Sequence, residues 1–207
     1  MNTSTAPGFD DVLQEALRVS QANDGPAAIS LFQQALTLNP QSAATYCLLG
    51  AEYITLGQIA ESEAAYANAL VLAPDFHVAR FQLGLLQFTS ARVAVALLTW
   101  QPLLALGDDK ALKLFVMGFA HMAQDEFETA VNYFERGIVL NADIPPLNID
   151  IQRVISEIRS LQEKSELHAT TSTNTTLTST TTEDRTQEAD ADVHFLLSNY
   201  QQQGPLH

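Results

Sequence analysis

Glycine recurs every thirty-four residues through the middle of this chain, at Gly50, Gly84 and Gly118. Large rings keep the same step at Phe32, Tyr66, Trp100 and Phe134, and small residues keep it at Ala28, Ser62, Ala96 and Ala130. A period of that length means stacked helical hairpins, because one hairpin cannot bury its apolar face alone and needs a neighbour to complete it. The spacing therefore predicts an all-α chain, a helical-hairpin solenoid of about four repeats over residues 9–144.

Each unit reads as helix A, a tight turn, helix B and a short link. In the second unit Tyr46, Leu49, Gly50 and Tyr53 mark helix A, and Ser62, Tyr66 and Ala69 mark helix B. Gly50 and Ala69 let two backbones approach, and Tyr66 fills the space between them. Gly57 supplies the turn, where a residue without Cβ is cheapest. Pro40 and Pro74 close helix B by removing a backbone donor.

This pattern resembles the tetratricopeptide repeat, and the second unit matches it nearly position for position. The first unit keeps a good helix B but has an atypical helix A, from Asp10 to about Gln21, as terminal repeats often do. The third departs most. Asp108 stands where proline is expected, Arg80 and Gln87 replace large apolar residues, and Pro102 interrupts LLTWQPLLAL. That proline is expected to kink or shorten helix B. In the fourth unit the closing prolines come late, at Pro145 and Pro146.

Residues 1–8 read as a flexible start. Residues 145–168 read as an amphipathic C-terminal capping helix, with Ile151, Val154, Ile155, Ile158 and Leu161 on one stripe. A dimerisation helix is the alternative. Residues 169–184, rich in Thr and Ser, offer nothing to bury and read as a disordered linker. Residues 185–207 read as a tail whose acidic lead enters a short apolar motif, Val193, Phe195, Leu196, Leu197 and Tyr200. A frayed terminus with accidental hydrophobes is the plainer reading.

The formal charge is -14, from 24 acidic residues against 10 basic, and no Lys or Arg lies between Arg18 and Arg80. Gripping phosphates needs a basic face, so nucleic acid is not an expected partner. No apolar run approaches the ~20 residues of a membrane helix, so no membrane insertion is expected. The opening MNTSTAPGFD lacks the features of a signal peptide, and the expected address is cytoplasmic.

The resemblance implies where a partner would lie. In tetratricopeptide proteins, fixed positions of helix A line a concave groove. Carried onto this chain, they are Cys47, Ala51 and Ile54, preceded by Ala44; then Val78, Phe81, Leu85 and Phe88; then Leu112, Phe115, Phe119 and Met122. Leu13 and Leu17 join them if the first helix A keeps register. These positions in units two to four carry no charge. An apolar groove is expected to be covered by a partner; alternatively, the same side chains pack against neighbouring repeats. The clamp by which some relatives hold a chaperone's C-terminal carboxylate is not expected, since Cys47, Ala51, Val78 and Gln82 cannot neutralise it.

No catalytic constellation is legible, and no cofactor or metal is implied. His77, His121, His168, His194 and His207 are scattered, and no phosphate loop or nucleophile elbow is present. Cys47 lacks a basic neighbour, and Glu61 and Glu63 suit a helix start. The expectation is a non-enzymatic adaptor or chaperone holding an apolar or amphipathic segment of another protein or peptide. In acidity and size the chain is similar to the class II chaperones of type III secretion. The alternative is a self-assembling or autoregulated protein, a possible homo-oligomer, whose tail docks in its own or a neighbouring groove.

Overall fold

The structure is a computed structural model that describes residues 7–173, with side chains to Lys164. Every regular element among the described residues is helical. They are α1 (Phe9–Gln21), α2 (Gly25–Leu38), α3 (Ala43–Thr55), α4 (Ile59–Leu72), α5 (His77–Thr89), α6 (Val93–Trp100), a 3-10 turn (Gln101–Ala105), α7 (Ala111–Met122), α8 (Phe127–Leu140) and α9 (Pro145–Thr173). The odd helices α1 to α7 are the A helices of the four repeats, and the even ones the B helices. The described residues fall into two compact units, one ending at Gln87 and the other beginning at Phe88.

In the first unit, α1 starts where Asp11 accepts the Gly8 N–H at 3.0 Å, with Asp10 and Asp11 favourable at the positive end of the helix. Asp24 and Ser42 cap α2 and α3 by accepting the amides of Ala27 and Thr45. Tyr66 fills the space between α3 and α4, against Gly50. A methyl group on Gly50 would lie 2.9 Å from the tyrosine ring. The buried Ser62 hydroxyl donates to the Gly50 carbonyl at 2.8 Å, closing the same contact with a hydrogen bond. Around Tyr66 and Ala69 pack Ala79, Leu83 and Leu86 of α5. A second cluster joins Ala16, Ala28, Phe32, Leu49 and Ala65.

The second unit carries the departures seen in the third repeat. Pro102 cannot donate to an α-helical ladder, so α6 stops at Trp100 and the chain tightens into a 3-10 turn. Asp108, at the expected proline, instead pairs with Lys113 at 2.6 Å, and the same ammonium donates to the Leu106 carbonyl at 3.0 Å. An ion pair thus fastens the link into α7. The Lys113 ammonium holds the Asp108 carboxyl below its ordinary range.

Helices α7 and α8 interlock through two glycine–phenylalanine contacts, Gly118 with Phe134 and Gly137 with Phe115. At the next corner Asn141 is buried. Its amide donates to the Ile144 carbonyl and to Asn148, and it accepts the Ile144 N–H. Pro145 and Pro146 do not close α8; they open α9, where a missing N–H costs nothing. Leu147, Ile151, Ile155 and Ile158 of α9 are buried, and Arg159 pairs with Glu135 of α8 at 2.6 Å. The helix runs to Thr173, past the expected boundary at 168.

The turn between helices A and B repeats in its backbone as well as its sequence. Asn23, Gly57, Ala91 and Asp125 lie one period apart, and all are left-handed, with φ of 60°, 70°, 58° and 59°. Each N–H returns to the carbonyl three residues earlier, from Asn23 to Ser20, Gly57 to Ile54, Ala91 to Phe88 and Asp125 to Met122. The reversal that lets a B helix fold back on its A helix demands this conformation, whichever residue occupies it.

Candidate functional site

The residues expected to face a partner fall into two groups. In the first unit Cys47, Ala51 and Ile54 share one face of α3, at helical spacing. Ala51 is exposed, Cys47 and Ile54 are half-buried, and the latter two lean on the Tyr66 cluster. Ala44, one turn earlier, is also exposed, and Leu13 and Leu17 of α1 are half-buried beside the neighbouring cluster. Val78, in the first turn of α5, is half-buried. Phe81 and Leu85 are buried, Phe81 at 0% exposure.

In the second unit Leu112 is half-buried, whereas Phe88, Phe115, Phe119 and Met122 are buried. The reason is local packing. Phe119 stands between three other rings, 5.1 Å from Phe88, 5.3 Å from Trp100 and 4.9 Å from Phe134 between centroids. Phe115 is taken up by Gly137. These rings are buried. Trp100 and Phe134 complete the cluster; both belong to the thirty-four-residue aromatic column, which was the signal that rings gather here. The tail motif, Val193, Phe195, Leu196, Leu197 and Tyr200, lies outside the described residues.

The chemistry of the α3 face is apolar. Burial pushes the Cys47 thiol up to about 11, so at neutral pH it is a small apolar group and not a nucleophile. Polar ties lie on the flanks. The Ser20 hydroxyl donates to Glu52, and the Gln33 amide donates to the Tyr53 hydroxyl at 2.9 Å. Gln87, buried where a large apolar residue was expected, donates to Glu63 at 3.4 Å.

His121 is tied down as well. Its Nδ1 donates to Glu126 at 2.5 Å, and its ring stacks on Tyr133 at 5.1 Å, with the Arg136 guanidinium 5.5 Å from the tyrosine centroid. Among the described residues no three His, Cys, Asp or Glu side chains gather as metal ligands, and no helix is long and apolar enough to cross a membrane.

Two-helix repeats with a left-handed turn in each, and glycine–aromatic locks at Gly50–Tyr66 and Gly118–Phe134, define a class of helical-repeat protein. Residues 43–76 match the tetratricopeptide repeat family, and the described fold is that of tetratricopeptide repeats. No curated protein sequence matches the chain. Solved structures agree on the fold. MamA from Desulfovibrio magneticus RS-1 superposes with a TM-score of 0.57 at 13% identity, over 80% of this chain and 92% of that one. PilF of Pseudomonas aeruginosa gives 0.54 at 18% identity, over 75% and 69%. A chain of the APC/C hetero-tetramer Cut9–Hcn1 gives 0.59 at 20% identity over 66% of this chain, which spans about a quarter (26%) of that one.

Proposed function

We infer that this protein is a non-enzymatic binding module that takes an apolar or amphipathic segment of another protein on its A helices. The observation that carries this reading is the open face of α3, where Ala44, Cys47, Ala51 and Ile54 present an uncharged, partly exposed stripe on a tetratricopeptide fold. Val78 on α5 is the half-buried counterpart at the matching position of the next repeat. Such a stripe offers a partner dispersion contact and dehydration without a charge to desolvate.

The test is a selection of displayed peptides on the intact protein, followed by binding to an Ala51→Glu variant. Ala51 is exposed, so the variant is expected to fold with its melting temperature nearly unchanged. Selected peptides should carry apolar residues at helical spacing and lose at least about tenfold in affinity, the cost of setting a carboxylate under an apolar contact. Apolar peptides that bind the variant equally well would overturn the reading. Phe119→Glu is not a suitable probe, because a charge at a 2%-exposed ring would test folding instead.

A further inference from the structure

Residues 93–107 contain no Asp, Glu, Lys or Arg, and 93–105 of them form α6 and the 3-10 turn after it. Pro102 breaks the helix there, and large apolar side chains are left at the surface. Leu98 is 70% exposed, Val95 44% and Leu104 43%. Ala94, Gln101, Pro102 and Ala105 are exposed around them. The other B helices break up their outer faces with polar groups. Val71 of α4 has exposed Asn68 one turn away, and Val139 of α8 has exposed Glu135 and Arg136. On α2 the exposed Leu38 has exposed Gln34 and Thr37 beside it, so the α6 face is the most apolar outer surface among the described B helices, and a partner can dehydrate it without stripping water from a charge.

We propose that this face is the docking site of residues 193–200 of the same chain. Val193, Leu196, Leu197 and Tyr200 recur at i, i+3, i+4 and i+7, the spacing by which a short helix lays one apolar stripe into an apolar surface. They are the densest group of large apolar residues beyond α9. The tether is long enough. Helix α9 belongs to the same compact unit as α6 and ends at Thr173. Residues 174–192 extend at most about 65 Å, whereas a unit of that size has a radius of gyration of only about 12 Å. A tether of this length holds the motif at roughly millimolar effective concentration, so a weak contact suffices. The acidic lead, Glu188, Asp190 and Asp192, meets no carboxylate on α6. This surface shares no residue with the α3 face and does not depend on the function assigned to it.

Paramagnetic broadening in the full-length chain tests the proposal. With Cys47→Ser as background, a spin label is placed at Ala94→Cys, on the rim of the face, or at Ala51→Cys, on α3. The label at 94 is expected to remove most of the amide signal intensity of residues 193–200, and Leu98→Lys should restore it. Intact tail signals with the label at 94 would overturn the proposal. So would broadening produced only from position 51, or seen only when labelled and isotope-enriched chains are separate molecules.

Discussion

Phe134 of α8 lies so close to the α-carbon of Gly118 on α7 that a methyl group there would collide with the ring. Phe115 of α7 returns the same contact to Gly137 of α8, where a methyl group would fall 2.5 Å from the ring. Each helix offers the other a glycine and receives a ring.

Gly118→Ala is therefore expected to destabilise the protein even though alanine is the better helix former. The propensity gain is about 1 kcal/mol, and overpacking against a ring already held by Phe119 costs about 1–3 kcal/mol. A net loss of up to about 2 kcal/mol in urea unfolding is the expected result; a gain would mean that Phe134 moves aside freely.

Ala91 is the costly member of the left-handed column. An L-residue there is strained by about 1–2 kcal/mol, and glycine loses about 0.5–1 kcal/mol more chain entropy on folding. Ala91→Gly should stabilise the fold by about 0.5–1 kcal/mol, and Gly57→Ala should destabilise it by a similar amount. Paired thermal melts read both signs at once.

Cys47 should alkylate slowly. With its thiol raised from 9.0 to about 11 by burial, the thiolate at pH 8 is about 100-fold scarcer than in an unburied cysteine. Iodoacetamide labelling of the native protein should be slower by about that factor, and its rate should climb through pH 10 without a plateau. A rate equal to that of a free peptide cysteine would place the thiol in water.

Asp150 gives a stability effect that depends on pH. Burial raises its carboxyl above the ordinary 3.8, with Arg153 opposing. The folded chain thus holds this proton more tightly than the unfolded chain. The group's contribution is fully favourable below 3.8 and is lost as pH rises through the raised folded value. Asp150→Asn is expected to be more stable than the parent at pH 7, with the difference closing as pH falls below the ordinary carboxylate range. A constant difference across pH would show that the carboxyl is solvated.

Much of the architecture was legible because it rests on local constraints. The glycine and aromatic columns expose the helix–helix locks, and Gly57 marks a left-handed turn. Pro102 marks a broken helix. The surface was harder to read. Periodicity shows that Phe81, Phe88, Phe115 and Phe119 are apolar helix positions, but not which neighbour reaches them first. A helix apolar on every side looks the same in sequence whether its second face meets a partner or another ring of its own chain.

By itself, the sequence determined the all-α repeat, its thirty-four-residue step, the hairpin turns and the place where α6 fails, because each follows from backbone freedom or from the steric size of one residue. Only the tertiary structure decided the rest. Phe119 is enclosed by Phe88, Trp100 and Phe134, whereas Ala51, in the same repeat column, is left in water. Asp108 replaces a proline by pairing with Lys113, and Ala91 accepts strain that glycine would avoid. Burial and pairing depend on which side chains meet in space, and residues far apart along the chain set that together.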